Sequence, residues 1–536
     1  MIALSGTSMD DYPLTLTSVV ERAERFHADQ QVISRRPSGA LSRTTFGACA
    51  TRARRLAGAL SALGVGRGDR VATLLWNQSE HLELYFAVPA MGAVIHTLNP
   101  RLTADELAFI VGDAQDRVLV VDESLLDVFE SISAACDFTH VIVVAQTGDR
   151  PEGTLDYESL VVGAEPVEWP VLDERHPAAM CYTSGTTGRP KGVVYSHRAL
   201  VLHSLVAALP DQLAVSARDT VLPVVPMFHA NAWGLPYAAA LTGARLVLPG
   251  PRLDPVSVLD LCADERVTMA AGVPTVWLGM LDALDAEPDR WELSDLDRLI
   301  VGGAAVPQAM FEGFDRHGLT VIQAWGMTET APLGAVCRLP ARLDGGERDD
   351  QYGYRTRQGV ASPLFDIRAR DDDGQLIAWD DAALGELEVR GPWVAAGYHG
   401  GRGADSFTAD GWFRTGDVVR IDRHGCIRIC DRSKDLVKSG GEWISSVDLE
   451  NHLMAHSAVA QAAVIAVPDE RWGERPLAVV ALRDGAEASA DDLREHLAQE
   501  FAKWQLPDRF EFVSAIPCTA TGKLKKTGLR AQYASI

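Results

Sequence analysis

Residues 181–193 read CYTSGTTGRPKGV, a tract with four small hydroxyl side chains (Thr183, Ser184, Thr186, Thr187), three glycines and one lysine, Lys191. Glycine and short hydroxyl residues leave backbone N–H groups unshielded, so such a tract can wrap an anion, phosphate above all. It is not a Walker A loop, because Arg189 and Pro190 separate Gly188 from Lys191 and no hydroxyl follows the lysine. Residues 178–182 and 192–195 read as short buried strands, which makes the tract a long loop between two strands. Taken alone, a plain hairpin tip is the competing reading.

The chain has 536 residues, more than one hydrophobic core usually serves, so at least two domains are expected. A hydrophobic content of 47% with 23% charged residues is that of a globular enzyme, and a formal charge of -23 argues against nucleic-acid binding. Local lysines and arginines can still recognise an anionic small substrate. The eight cysteines form no C-x-x-C pair; Cys426 and Cys430 alternate in CIRIC on one strand face, as core residues rather than metal ligands. That usage suits a reducing cytoplasm. No apolar run is long enough for a transmembrane helix. The opening MIALSGTSMDDYPLTL lacks a basic segment followed by an apolar core, so it is not read as a signal peptide, and Met9 is an alternative start.

The first third alternates helix and strand patterns. Residues 50–65 repeat apolar side chains at helical spacing, residues 70–76 are a compact apolar run, Thr103 and Glu106 form a capping box, and 118–121 and 141–144 read as strands. Strands separated by helices predict layered α/β structure with mostly parallel sheets. The glycines of GVGRGD (64–69) precede a strand instead of following one, which removes a dinucleotide-binding reading. After Asp410 short strands and turns take over, and the charged, glycine-ended stretch DRSKDLVKSGGEW (431–443) is the best boundary. The expected division is therefore 1–433 and 434–536, the second part small but with its own strands and helices.

Further segments share the character of the opening tract: PMFHANAWG (226–234), VGGAAVP (301–307), QAWGMTET (323–330), GWFRTGD (411–417) and PCTATGKLKK (517–526). Each alone has a plain structural explanation: His229 and Trp325 as core, Asp417 as a turn residue, Lys523 as a solvated lysine. Their joint occurrence in this order resembles the acyl-adenylate-forming superfamily, and the resemblance spans essentially the whole chain. Within it, HTLNPRL (96–102), PMFHANAWG and GGEWISSVDLE (440–450) are most similar to medium-chain fatty acyl-CoA and methylmercaptopropionate-CoA ligases.

The resemblance implies a large N-terminal domain of layered α/β sheets with a small β-barrel-like subdomain, and a small mobile α+β C-terminal domain. It implies ATP, Mg2+ and coenzyme A as cofactors, with a small carboxylic acid as substrate. A carrier protein is the alternative thiol acceptor and a homodimer an open assembly. By the same resemblance Thr183, Ser184, Gly185, Thr186, Thr187, Gly188 and Lys191 hold the β- and γ-phosphates. Glu329, with Thr183 second, would ligate Mg2+, and Thr328 would bond the α-phosphate. Trp325, beside Gly326 and Met327, would lie against adenine, with Gly303, Ala304 and Ala305 around the ring. Asp417 would accept the ribose hydroxyls with Arg432 assisting. Lys523 would be the adenylation lysine, Lys434 the hinge, and Gly440, Gly441, Trp443 and Lys438 the thiol approach, with Arg475 and Lys503 on the CoA phosphates. Cys518 stands where relatives usually carry a basic residue, which reduces local charge near Lys523.

Amino-acid-activating members carry an aspartate in the segment matching PMFHANAWG, and this chain has none there. An unpaired buried ammonium is costly, so an α-amino acid is a disfavoured substrate. His229, Trp233, Trp277 and Gly303 are expected to line an apolar acyl pocket, with Trp233 capping its depth in favour of short and medium chains.

Overall fold

The computed structural model describes residues 10–145, 150–183, 189–439, 442–469, 471–483, 485–517, 524 and 526–533. Three sheets organise the chain. One has seven strands, with Arg70–Leu74, Val94–Thr97, Val118–Asp122, His140–Val144 and Pro177–Tyr182 among them, parallel except where Pro177–Tyr182 folds back antiparallel onto Gly192–Ser196. That hairpin pairs Tyr182 with Gly192, so the glycine- and hydroxyl-rich tract is its tip.

The second sheet has thirteen strands. Its parallel part runs in the spatial order Thr320–Gly326, Arg298–Val301, Met269–Gly272, Thr220–Pro223, Arg245–Leu248, Gln31–Arg35. Helices between these strands make the parallel order possible, since parallel neighbours need a crossover connection. Beyond Thr320–Gly326 the sheet continues through antiparallel strands between Leu333 and Arg432, the expected β-rich subdomain, hydrogen-bonded directly onto the parallel part. A third, five-stranded sheet is made only of residues after Leu436, and the helix Ser446–Ala455 packs on it.

Local signals account for several boundaries. Thr103 caps the helix Ala104–Ala114 by accepting from Glu106 N while Glu106 Oε2 accepts from Thr103 N at 3.0 Å. The helix Ser79–Ala90 is buried at every residue but Glu80, the polar Ser79, His81 and Glu83 included. Leu82, Tyr85, Phe86 and Val88 on it join the largest core cluster. No described helix is long and apolar enough to cross a membrane.

Candidate functional site

In a parallel α/β sheet, loops leaving the carboxyl ends of neighbouring strands gather into a common crevice. Here three of the singled-out segments leave such ends: 226–234 follows Thr220–Pro223, 302–305 follows Arg298–Val301, and 327–330 follows Thr320–Gly326.

The hairpin closes with Thr183 N donating to Lys191 O at 3.0 Å and Lys191 N donating to Thr183 Oγ1 at 3.2 Å. The hydroxyl oxygen of Thr183 keeps a lone pair for another partner. Ser184, Gly185, Thr186, Thr187 and Gly188 lie outside the described residues. The Lys191 ammonium sits 4.7 Å from the ring centroid of Tyr398. Gly403, at φ +63°, gives it room: a Cβ there would stand 2.8 Å from Lys191 Nζ.

Thr328 and Glu329 occupy a short 3-10 turn, Thr328–Thr330, and both are buried. The turn is pinned by Tyr195, whose hydroxyl donates to Thr328 O at 2.6 Å, and by Ala395 N donating to Glu329 O at 2.7 Å. Tyr398 donates its hydroxyl to Glu329 Oε1 at 2.5 Å. Burial and the Glu329 charge push the Tyr398 phenol well above its ordinary value, so it remains a donor. Gly326 before this turn cannot be replaced: a Cβ there would meet Pro332 O at 1.8 Å.

Trp325 and Asp417 are joined directly, the indole Nε1 donating to Asp417 Oδ2 at 3.0 Å. Arg432 Nε approaches Asp417 Oδ1 at 2.7 Å, and Asp417 is 1% exposed. A carboxylate offers about four lone-pair sites, so two contacts leave acceptor capacity for further hydroxyls. Asp417 and Arg432 lie opposite one another on paired strands, which sets their approach.

Gly303 has φ +92°, followed by exposed Ala304 and half-buried Ala305. The segment 230–233 is a run of four non-glycine residues in the left-handed region, with φ between 43° and 56°, ended by Gly234 at 73°. Each such residue carries a conformational cost, and runs of them gather at functional loops. The run orients half-buried Trp233 onto Gly302, whose hypothetical Cβ would stand 3.1 Å from the Trp233 ring. His229, half-buried, precedes the run, its N–H on Pro226 O at 3.0 Å.

Two further expected site residues are held in close packing. Trp277 is a core residue: fully buried, it donates its indole N–H to Ile300 O at 3.2 Å and lies against Gly272 within the second core cluster. Arg475 is equally committed. Its guanidinium donates to Asp508 Oδ2 (2.6 Å) and Oδ1 (3.0 Å), Ser439 Oγ (3.0 Å), Trp504 O (2.5 Å) and Leu506 O (3.0 Å). Lys503, by contrast, is exposed. Lys438 stacks over Trp443, 3.9 Å from the ring centroid, and Lys434 lies in the turn where Asp435 N and Leu436 N both donate to Arg432 O. Gly440, Gly441 and Lys523 lie outside the described residues.

Tyr398 was not legible as a site residue. Its one sequence signal is an aromatic ring inside the glycine-rich GYHGGRG (397–403). Among the described residues no group of three or more histidine, cysteine or acidic side chains is arranged to hold a metal. Magnesium bound largely by phosphates and water needs only one or two protein oxygens, and the Glu329 carboxylate, anchored among the described residues through Oε1, fits that demand.

The sequence pattern of the AMP-binding enzyme family matches residues 19–399, and that of the AMP-binding enzyme C-terminal domain matches 448–523. The chain is 50% identical to the long-chain-fatty-acid–CoA ligase of Thermus thermophilus, covering 99% of this chain and 98% of that one. It is 42% identical to the medium-chain-fatty-acid–CoA ligase of Ectopseudomonas oleovorans, over 98% and 96% of the two. The fold superposes on ATP-bound MatB from Rhodopseudomonas palustris with a TM-score of 0.84, at 27% identity and coverage of 98% and 99%. The chain belongs to the AMP-binding enzyme family.

Proposed function

We propose that the protein is an AMP-forming acid–CoA ligase that activates a carboxylic acid as its acyl-adenylate and passes the acyl group to coenzyme A. The observation that carries this reading is the convergence, from strands of two sheets, of the joined pair Trp325 and Asp417 with the turn carrying Thr328 and Glu329, which Tyr398 links to Lys191. Relatives named as fatty-acid–CoA ligases at 42–50% identity favour free CoA over a carrier protein as acceptor.

A free carboxylate is a poor acyl donor because its leaving group would be oxide. In the first half-reaction its oxygen attacks the α-phosphorus of ATP and the bond to pyrophosphate breaks. Two anions meet, so cationic charge must gather where the negative charge concentrates. Lys191 supplies it at the β- and γ-phosphates, Thr328 bonds the α-phosphate, and Lys523 reaches the substrate carboxylate from the C-terminal unit. Bound at Glu329 with Thr183 as a second oxygen, Mg2+ would offset the triphosphate charge. Asp417, oriented by Trp325 and Arg432, accepts the ribose hydroxyls, and Ala304 and Ala305 border the adenine. In the second half-reaction the thiol sulfur attacks the acyl carbon and AMP leaves. For that step residues 434–536 swing as a unit about Lys434, bringing Gly440, Gly441 and Trp443 to the thiol path and Lys503 to the CoA phosphates.

The acyl pocket is assigned to His229, Trp233 and Gly303, with short to medium or aryl-alkyl acids as substrates; the chemistry takes place in the cytoplasm. The 50% identical relative is named for long-chain acids, which favours a longer acid as the second reading. A pyrophosphate-release screen over C2 to C16, methylthio and aryl acids, with and without CoA, separates these. Acid-dependent release that yields a thioester with free CoA is expected; no acid-dependent release would overturn the reading.

A further inference from the structure

We propose that Tyr398 is a positioning residue serving two partners at once, its hydroxyl orienting the Glu329 carboxylate for the metal and its ring holding the Lys191 ammonium beside it. This rests on the ATP- and magnesium-dependent reading above. The hydroxyl donates to Glu329 Oε1 at 2.5 Å, and the ammonium lies 4.7 Å from the ring centroid. One aromatic side chain therefore touches both the acidic and the basic group that the triphosphate must meet.

The ring is itself fixed. Phe407 and Phe413 flank it at 5.6 and 6.5 Å between centroids, both edge-on. The rest of the 398–403 loop is fastened to the helix Ala104–Ala114 through Asp113. Arg402 forms an ion pair with Asp113 Oδ2, Tyr182 donates its hydroxyl to the same oxygen at 2.6 Å, and the His399 ring bonds Asp113 O at 3.2 Å. Tyr182 is the last residue of the strand that opens the phosphate-loop hairpin, so loop and hairpin share one anchor.

The consequence is mechanistic. With Oε1 held by the phenol, Glu329 presents its other oxygen in a set direction, as outer-shell partners do for metal-binding carboxylates. With its ammonium parked on a ring face, Lys191 is kept from pairing with Glu329 directly, an ion pair that would consume both groups before ATP arrives. The cation–π contact is weak enough to yield to a triphosphate.

The test measures equilibrium binding of a β,γ-imido ATP analogue by calorimetry, with and without MgCl2, in the full-length protein. Tyr398→Phe removes only the hydroxyl. It is expected to raise the Mg2+ concentration for half-maximal enhancement of analogue binding about tenfold, the scale typical of an outer-shell loss, while metal-free binding stays within about twofold. In a Glu329→Gln background the same change is expected to do nothing more, because the hydroxyl acts through that carboxylate. Tyr398→Leu removes the ring as well and is expected to weaken metal-free binding roughly fivefold. Gly403→Ala crowds the same seat, since its Cβ would stand 2.8 Å from Lys191 Nζ and 3.1 Å from the edge of the Tyr398 ring, and is expected to weaken metal-free binding too. An unchanged Mg2+ response in Tyr398→Phe, or an effect that persists without Glu329, overturns the hydroxyl's role. Metal-free binding unaltered in both Tyr398→Leu and Gly403→Ala overturns the ring's. If the wild-type protein binds no analogue, the nucleotide reading itself fails; if it binds with a normal Mg2+ response that the variants share, only the positioning role does.

Discussion

Charging a buried imidazole away from water is costly, and three histidines here avoid it by staying neutral. Burial pulls His81, His197 and His203 down to about 4 from an ordinary value near 6.5. A histidine depressed in the folded state stabilises fully above its unfolded value, and that contribution is lost as pH falls from about 6.5 to about 4. Each is worth about 3 kcal/mol once pH has fallen through the whole interval. Glu83 and Glu450 act oppositely, since burial raises both to about 7 and the folded state gains protons there first. His203 reads the effect most cleanly: its Nε2 accepts from Leu333 N at 3.2 Å, an acceptor that a glutamine oxygen can replace. His203→Gln is expected to lose about 2 kcal/mol less than the wild type between pH 7 and pH 4.5 in urea unfolding. At the nucleotide site, Asp417→Asn keeps an acceptor for Trp325 but removes the charge facing Arg432. Loss of a charge-assisted pair predicts about a tenfold rise in KM for ATP. Because Arg432 is 37% exposed, the stability cost is small, below roughly 1 kcal/mol by thermal unfolding. An unchanged KM would take Asp417 out of the ribose site.

At the scale of elements, the helix Lys526–Tyr533 is held by a buried charge. Lys526 Nζ lies 2.6 Å from Glu450 Oε1 and donates to Ser446 Oγ at 2.6 Å, while Ser446 N donates to Asp431 Oδ2 at 2.7 Å. Arg530 of the same helix pairs with Asp435 beside the hinge turn. Removing one partner of a buried pair costs about 3–5 kcal/mol because the remaining charge is stranded. Lys526→Met is expected to show that deficit at pH 8.5. Near pH 5.5 it should shrink, since Glu450, already raised to about 7, can take up a proton instead. A deficit independent of pH, measured by thermal unfolding, would count against a charge origin. What the sequence made legible was local: the hairpin at Tyr182 and Gly192, the Thr103–Glu106 capping box, the turn from Asp422 to Gly425. These are set by a few adjacent residues. The thirteen-strand order was not legible, because pairing of Ile33 with Val247 leaves no mark on either segment. The partners of Trp277 and Arg475, Ile300 O and Asp508, were not legible for a related reason: residue type tells what a side chain can do, but not which distant group it meets. Tyr398 escaped notice because Glu329 lies 69 residues away and meets it only in the fold.

For the whole molecule, the question is whether the unit after Leu436 can move as the two half-reactions require. Among the described residues three ion pairs reach from it to the larger sheets, Arg428 with Asp448 at 3.2 Å, Arg483 with Asp282 at 3.4 Å and Lys438 with Asp372 at 3.7 Å, all six side chains being 28–79% exposed. Exposed pairs of this kind contribute about 0–1 kcal/mol, too little to lock a unit that has its own core around Val437, Leu449, Val464 and Val480. Ser445, whose hydroxyl bonds Cys430 O, and Ser446, whose N–H bonds Asp431 Oδ2, tie it beside residues 432–436, which is where the proposed swivel would turn. A swivel that presents two faces in turn predicts separable defects. Lys523→Ala should lower acid-dependent pyrophosphate release by 100-fold or more on the scale of a removed transition-state contact, yet leave thioester formation from supplied acyl-AMP within about threefold. Lys434→Pro, which fixes φ in the hinge turn, should do the reverse: adenylate forms and CoA transfer fails. The two are scored by single-turnover assays of each half-reaction. Equal loss of both half-reactions in Lys523→Ala would mean that one fixed arrangement serves both steps, and the alternating mechanism would fall with it.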